Sequence, residues 1–351
     1  MKFPHNPGTY QSQEDKLPIT VTGVGSCLPR TVETNEDLAQ QIDTSDEWIR
    51  SRTGIGQRWI AAEDESTSTM ATRAARRALE SAALDRVDLI VVATSTPDRS
   101  VPATAPLVGE ALGMSGVAAF DLNAVCTGFV YALSVANAML ATSSGDIALV
   151  IGADTFSSIL DPKDRSTRAI FGDGAGAVVI TRSDMDDASD FELGSDGGGY
   201  DLITRPASGS AIKRDEQHAL PPYFTMAGKS VFMQAVARMT ESCTALLDRA
   251  RLSVDDVDAF VAHQANARIL GAVVDQLGIR PEKSIQNIDR VGNTVAASIP
   301  IALAEAHAKS QFQYGDRLLL TAFGGGLTWG ACLAHWQVNT DATSKDAVSA
   351  S

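Results

Sequence analysis

The sequence of 351 residues is short of positive charge and of cysteine. Its 29 Lys and Arg stand against 43 Asp and Glu, a formal net charge of −14, which repels nucleic acid and anionic membrane surfaces. The four cysteines are widely spaced and include no CxxC pair, so neither a zinc site nor a disulfide framework is expected. We therefore predict free thiols, no metal, no nucleic-acid partner and no membrane partner.

Long hydrophobic runs are also absent. No apolar run approaches the about 18 residues that a membrane span needs, and residues 1–16 are polar, unlike the apolar core of a signal peptide. These absences predict a cytoplasmic protein. Residues 1–16 and 338–351 are predicted to be mobile tails.

What the sequence does contain is an internal repeat. Residues 72–95 and 242–265 both have the pattern of a helix, a turn and a buried strand, 170 positions apart. GDIALVIGAD, from Gly145, and GDRLLLTAFG, from Gly315, keep the same offset. The repeat predicts a duplicated α/β protein with halves at 17–184 and 185–337, which meet near residue 185.

Three reactive side chains lie at related positions of the repeat. The same offset pairs Asn123 and Cys126 with Asn293 and Ala296, each pair at a predicted strand-to-helix turn, and His263 ends the strand VDAFVAH. Open parallel sheets place ligands at this carboxyl edge, so Cys126, His263 and Asn293 are predicted to converge. A thiol, an imidazole and an amide together indicate acyl chemistry through a thioester. Singly, each is also typical of a buried core residue or a turn former.

Two glycine-rich segments need separate interpretations. FGDGAGAVVIT, residues 171–181, is followed by β-branched residues, whereas a dinucleotide fingerprint must open a helix; it is predicted to be a turn into a strand. FGGG, residues 323–326, allows backbone N–H groups to approach a reacting carbonyl. It is a candidate oxyanion hole, and a tight turn is the alternative.

Seven motifs, in order along the chain, resemble β-ketoacyl-acyl-carrier-protein synthase III: DTSDEWIRSRTGI (43–55), NAVCTGF (123–129), IFGDGAGAVV (170–179), TMAGKSVF (225–232), HQAN (263–266), VGNTVAASIP (291–300) and AFGGGLTWGA (322–331). The resemblance runs from about Leu17 to Trp336. It implies the thiolase fold, a duplicated five-layered α/β/α/β/α architecture, and a homodimer. It also implies that an acyl-CoA primer condenses with malonyl-acyl carrier protein, with no cofactor because the CoA thioester is itself a substrate.

The resemblance assigns roles to the reactive residues. Cys126 is the nucleophile, and the backbone N–H groups of Cys126 and Gly325 form the oxyanion hole. His263 and Asn293 donate hydrogen bonds to the malonyl thioester oxygen and stabilise the enolate. Phe323 lies beside the malonyl site.

The resemblance also implies substrate contacts. Trp48 and Arg52 sandwich the CoA adenine with Arg165 nearby, and Phe232 belongs to the same substrate-binding set. Val101 reaches the acyl pocket of the partner subunit, where valine in place of a bulky aromatic predicts that acetyl and somewhat longer or branched primers are accepted.

Carrier docking is where the sequence departs from the family. Arg268 matches a residue that meets the acyl carrier protein. Met233 and Asp275 stand where better-studied members carry lysine, so the predicted basic face is reduced. We expect Arg268→Glu to weaken the use of malonyl-acyl carrier protein and to spare acyl transfer from CoA to Cys126; the alternative is that Arg268 is only a solvated helix residue.

Three alternatives remain open from the sequence. A papain-like cysteine hydrolase also orders Cys, His and Asn along the chain, but the surrounding CGSCW pattern is missing. A catalytically silent partner subunit would not need all three reactive residues. A related acyltransferase, or a starter-unit enzyme of specialised metabolism, fits the same residues.

Overall fold

The computed structural model describes residues 19–142, 145–182, 191–210 and 221–339. The predicted tail 1–16, residues 340–351 of the predicted C-terminal tail and the predicted boundary near residue 185 lie outside the described residues. The domain boundaries therefore stay predictions.

Thirteen strands and ten α-helices lie within the described residues. The strands are β1 Thr20–Cys27, β2 Thr31–Thr34, β3 Gln57–Ile60, β4 Leu89–Ala93, β5 Ala118–Leu122, β6 Ile147–Asp154, β7 Gly174–Thr181, β8 Phe191–Ser195, β9 Ile203–Thr204, β10 Thr225–Met226, β11 Ala259–Ala262, β12 Arg317–Gly324 and β13 Thr328–Trp336. The helices are α1 Asn35–Ala39, α2 Asp46–Thr53, α3 Thr67–Ala82, α4 Thr104–Ala111, α5 Gly128–Thr142, α6 Arg165–Arg168, α7 Gly228–Ala250, α8 Ala267–Leu277, α9 Ile288–Val291 and α10 Ser298–Ala308.

Nine strands form one hydrogen-bonded sheet in the order β11-β12-β13-β1-β7-β6-β4-β5, with β8 paired to β13. It consists of two similar half-sheets, which meet where β1 and β13 pair in parallel over two residue pairs. Strands β6 and β12 begin and end 170 residues apart, the offset read from the sequence. The segment 171–181 forms a turn and then β7, which confirms that it is not a dinucleotide fingerprint.

The helices form three layers around the two half-sheets. Helix α3 covers the outer face of β1, β7 and β6, while α7 packs on β13, β12 and β8 and α8 packs on α7. Helices α5 and α10 contact strands of both half-sheets and form the middle layer. The predicted five-layered α/β/α/β/α architecture is therefore confirmed.

Small residues allow α3 to lie directly on β1. A Cβ placed on Gly23 would be 2.3 Å from the carbonyl oxygen of Ala78, and one on Gly25 would be 2.4 Å from that of Ala74. Side chains at these two positions would therefore force the helix away from the sheet. Helix α3 is capped by Ser66, whose side chain and that of Thr69 form a reciprocal capping box.

One expectation about apolar segments was wrong. The segment Val125–Thr142 is long and apolar enough to cross a membrane by length and composition. Half of it is buried inside the protein, and α5, which makes up most of it, lies in the middle layer. A helix that is apolar around much of its surface fits a position between two sheets.

Candidate active site

Two equivalent turns lie at the centre of the molecule. Each is a single 3₁₀ turn that leads into a middle-layer helix, Val125–Thr127 before α5 and Val295–Ala297 before α10. Val125 and Val295 both have positive φ, 49° and 52°, an uncommon conformation for a β-branched residue. In both turns an asparagine Oδ1 accepts the valine N–H, Asn123 at 3.2 Å and Asn293 at 2.9 Å.

Cys126 lies in the first turn and is 8% exposed. Burial, together with the negative charge of Asp154, raises the pKa of its thiol to about 12. The thiol is therefore protonated at neutral pH, and the thiolate forms only as the proton is passed on. The thiolate stabilisation expected at a helix N-terminus is outweighed here by burial.

His263 follows β11 and is buried. Its backbone N–H donates to the carbonyl of Thr321 at 2.8 Å, and its Nδ1 lies 2.6 Å from Oγ of Ser298. The Ser298 hydroxyl oxygen also accepts the N–H of Gln264 at 3.3 Å, so its proton is free to donate to Nδ1. This network favours the tautomer with the proton on Nε2.

Burial also determines the charge of His263. It lowers the pKa of the imidazole to about 3. The ring is therefore neutral at pH 7 and acts as a hydrogen-bond donor through Nε2–H rather than as a cation.

Asn293 is held by both its backbone and its side chain. Its N–H donates to the carbonyl of Ile170 at 3.0 Å, and its own carbonyl accepts the N–H of Gly172 at 2.9 Å. Because Oδ1 accepts from Val295, the amide Nδ2 is the end left to donate to a ligand.

A cavity of about 650 Å³ brings most of the predicted site residues together. Those that line it are Cys126, His263, Asn293, Phe323, Trp48, Arg52, Phe232 and Arg268. Arg165, Gly325 and Val101 are not among the lining residues. One chamber thus joins the three reactive side chains to an aromatic and basic mouth.

The glycine segment lies against Cys126. A Cβ placed on Gly324 would be 2.9 Å from the backbone nitrogen of Cys126 and 3.0 Å from its Cβ. Glycine at this position therefore keeps the N–H of Cys126 approachable. Gly325 is the next residue along and is buried.

Two guanidinium groups lie close to the ring of Trp48 at the mouth. The Cζ of Arg52 is 5.4 Å and that of Arg165 is 4.9 Å from the indole centroid, both within cation–π range. Arg165 also donates to the carbonyl of Asp43 at 3.2 Å.

Arg268 lies at the start of α8 on another side of the mouth. Its Cζ is 5.7 Å from the ring of Phe232, and its N–H is capped by Asn266 at 2.8 Å. Lys229 and the exposed Met233 line the same cavity.

The comparisons with known proteins decide the family. Residues 120–197 match the model for 3-oxoacyl-[acyl-carrier-protein] synthase III and residues 247–336 match the model for its C-terminal part. The chain is 53% identical over 325 residues to β-ketoacyl-[acyl-carrier-protein] synthase III 3 of Streptomyces coelicolor, with 90% of this chain and 96% of the relative covered. The chain belongs to the 3-oxoacyl-[acyl-carrier-protein] synthase III family.

Two solved structures are similar to this synthase III chain. That of 3-oxoacyl-(acyl carrier protein) synthase III from Pseudomonas aeruginosa has a TM-score of 0.85 and 48% identity and covers 91% of this chain and 98% of its own. The priming β-ketosynthase from the R1128 polyketide pathway has a TM-score of 0.87 and 34% identity, with coverage of 95% and 99%.

These likenesses settle three predictions. They confirm the family, the thiolase fold and the enzyme class, an acyltransferase that starts fatty-acid or polyketide synthesis. They also exclude the papain-like hydrolase, because the family and the fold are different. The four cysteines are free and buried. Among the described residues, no group of three or more His, Cys, Asp or Glu could hold a metal ion.

Sequence reasoning missed an aromatic cluster beside Cys126 of this synthase III chain. Phe156, Phe171 and Phe224 have ring centroids 4.8–5.2 Å apart and form one apolar cluster with Cys126. All three line the cavity. They come from separate parts of the chain, so spacing gave no signal that they would meet.

Val101 lies away from the cavity of its own synthase III chain and is 81% exposed. Its predicted contact with a partner subunit stays a prediction. Neither Arg165 nor Gly325 lines the cavity, but each lies next to a lining residue: Arg165 to Trp48 and Gly325 to Ile203, whose side chain would be 3.2 Å from a Cβ placed on the glycine.

Proposed function

We propose that this chain condenses an acyl-CoA primer with malonyl-acyl carrier protein to give a 3-oxoacyl-acyl carrier protein, CoA and carbon dioxide. The observation that carries the proposal is the shared cavity of Cys126, His263 and Asn293. It is supported by the name of the family, whose members are synthases of 3-oxoacyl chains on the acyl carrier protein.

In the first half-reaction the sulfur of Cys126 attacks the thioester carbonyl of acyl-CoA. The developing oxyanion accepts hydrogen bonds from the N–H groups of Cys126 and Gly325. The carbon–sulfur bond to CoA then breaks, and the thiol proton of Cys126 ends on the CoA sulfur. Trp48, Arg52 and Arg165 hold the CoA adenine at the mouth.

In the second half-reaction malonyl-acyl carrier protein loses carbon dioxide and leaves an enolate. The neutral Nε2–H of His263 and the Nδ2–H of Asn293 donate to its oxygen, which stabilises the charge as it forms. The enolate carbon attacks the acyl group on Cys126, so a carbon–carbon bond forms as the carbon–sulfur bond breaks, and the released Cys126 thiolate takes up a proton from solvent. Phe323 lies beside the malonyl group.

The second substrate and a second subunit make up the proposed partners. Arg268 meets the acidic carrier protein, and the enzyme acts in the cytoplasm as a homodimer without a cofactor. Strand β5 ends the sheet order, and an uncovered edge strand of this kind favours pairing with another copy.

Intact mass measurement after incubation with acetyl-CoA tests the nucleophile. We expect one acetyl adduct on the parent protein and none on Cys126→Ala. Cys243→Ala is the matched control because Cys243 is also buried and free, and it should load as the parent does. An adduct that persists in Cys126→Ala would overturn the assignment.

A second candidate, a starter-unit enzyme of specialised metabolism, is favoured by the likeness to the priming β-ketosynthase. A panel of acyl-CoA primers separates the two. We expect acetyl and somewhat longer or branched primers to load. Strict acetyl specificity would contradict the argument from Val101, and preference for an unusual primer would favour the second candidate.

A further inference from the structure

Asp154 is a buried carboxylate that the proposed reaction does not use. It ends β6 and is 0% exposed. Its Oδ1 accepts from the N–H of Ser95 at 2.8 Å and from the hydroxyls of Thr96 at 2.9 Å and Thr94 at 3.3 Å. Its Oδ2 accepts from the N–H of Ala296 at 3.1 Å. Asp154 therefore ties the first half of the chain to the second turn.

The repeat shows what this carboxylate replaces. Gly324 ends β12 at the position equivalent to Asp154, and Ala296 is equivalent to Cys126. Gly324 leaves the N–H of Cys126 open to a substrate oxygen. In the second turn the equivalent N–H is that of Ala296, and it already donates to Oδ2 of Asp154. The N–H of one turn is thus open to a substrate oxygen, and the N–H of the other is already bonded to a carboxyl oxygen.

The second turn also carries Asn293 and a strained residue. Val295 has φ of 52°, a conformation that persists only when the surroundings hold it. Asn293 Oδ1 accepts the N–H of Val295, and Asp154 accepts the next N–H, that of Ala296. If the bond to Ala296 were lost, Val295 could relax and the Asn293 amide would lose its orientation.

We propose that Asp154 is a positioning residue for Asn293: by filling the anion-binding N–H of the second turn, it keeps the Asn293 amide directed into the cavity for malonyl decarboxylation. The inference rests on the proposed function, because it assigns Asp154 to the step that Asn293 assists.

Asp154→Asn is the sharpest variant. Asparagine keeps one oxygen for Ser95 and Thr96 but presents an amide N–H to the N–H of Ala296, and two donors cannot pair. The substitution therefore removes the bond to the second turn while nearly preserving the shape of the side chain.

The two half-reactions are measured separately, with malonyl-acyl carrier protein for decarboxylation and acetyl-CoA for loading of Cys126. We expect Asp154→Asn to lower kcat for decarboxylation about tenfold, with KM changed less than about twofold, as loss of one buried hydrogen bond to a charged group would do. Loading should not fall, because removal of the Asp154 charge lowers the pKa of Cys126. A merely structural role would lower both rates by the same factor.

A double-mutant cycle isolates the route through Asn293. In the Asn293→Ala background, Asp154→Asn should add no further loss, because the side chain it positions is already absent. Asp173→Asn is the matched control: its buried carboxylate accepts the N–H groups of Ser157 and Ala61 at 2.8 Å, with no bond to the second turn. It should leave the ratio of the two rates unchanged.

The outcomes distinguish this inference from the proposed function. A parent protein that neither loads nor decarboxylates overturns both. An active parent with equal losses in the two half-reactions of Asp154→Asn, or with full additivity in the cycle, overturns the role of Asp154 alone. If Asp154→Asn does not fold, Asp154→Gly gives the second turn the residue found at Gly324 and is measured in the same way.

Discussion

The two central turns have the same backbone but present different groups to the cavity. The first turn carries a thiol and an N–H left open by Gly324, whereas the second carries an alanine, an N–H closed by Asp154 and, three residues earlier, Asn293. The difference is the one that the proposed reaction needs from a duplicated unit with two half-reactions. In that proposal the first half holds the acyl group, and the second half provides the donors for the enolate.

Removal of the proposed enolate donors should give the largest difference between the rates of the two half-reactions. His263→Ala and Asn293→Ala should each lower condensation by about 10²–10³, since one oxyanion donor contributes about 2.7–4 kcal/mol, while loading of Cys126 stays largely intact. Single-turnover loading and malonyl decarboxylation are the two measurements.

Asn123→Ala is the counterpart of Asn293→Ala in the first half. Asn123 holds the N–H of Val125, so this change should act on loading and spare decarboxylation. Loss of loading in His263→Ala or Asn293→Ala, with decarboxylation retained, would refute the division of labour.

Blocking the N–H of Cys126 in the first turn should give the next largest effect on activity. In Gly324→Ala the added methyl group would lie 2.9 Å from the backbone nitrogen of Cys126, so the turn must shift or the N–H is blocked. We expect acyl loading to fall about 10²-fold, as for loss of one oxyanion donor. Gly271→Ala is the control, because a Cβ there meets nothing within 4 Å. Normal loading by Gly324→Ala would show that the Cys126 N–H is not used.

Arg268 tests whether only the second half's reaction depends on the carrier protein. Arg268→Glu should weaken use of malonyl-acyl carrier protein by about tenfold, through charge repulsion during association, and spare loading from acetyl-CoA. Arg280→Glu, at an exposed arginine outside the cavity lining, is the matched control. Equal kinetics of Arg268→Glu and the parent would show that Arg268 is only a solvated helix residue.

Asp154 and Gly324, at the equivalent ends of β6 and β12, should also differ in how they affect the pH dependence of stability. Burial raises the pKa of Asp154 from 3.8 to about 7. Between these two pH values the folded state therefore binds a proton that the unfolded state lacks. A rise in pH through this interval therefore destabilises the folded protein. Relative to the parent, Asp154→Asn should gain about 2 kcal/mol in free energy of unfolding between pH 5 and pH 8. Parallel urea-unfolding profiles would contradict the raised pKa.

The sequence predicted what depends on local pattern and on the repeat. The offset of 170 places Cys126 and Asn293 on equivalent turns, and β-branched residues after Gly174 predict a strand. Local pattern does not always identify the exact cap: Thr44-x-x-Glu47 has the form of a capping box, yet α2 begins at Asp46 with Ser45 as its cap, which accepts the N–H of Trp48 at 3.1 Å. Adjacent hydroxyl residues offer equally good caps, and spacing does not choose between them.

Contacts between distant segments could not be read from the sequence. The bond between Asp154 and Ala296 spans 142 positions, and Phe224 meets Phe156 and Phe171 although more than 50 positions separate it from either residue. Such contacts follow from how the two halves pack. The repeat could have pointed to Asp154, since an acidic residue opposite Gly324 is where the two halves differ most in chemistry.

The cysteines also allow the folded molecules in a preparation to be measured. Cys27, Cys243 and Cys332 are buried and line none of the cavity that Cys126 lines. A small maleimide should therefore reach no cysteine of the folded chain other than Cys126, and all four after denaturation. The number of thiols that react before denaturation thus falls from four to at most one as the fraction of correctly folded chains rises, and the measurement needs no substrate.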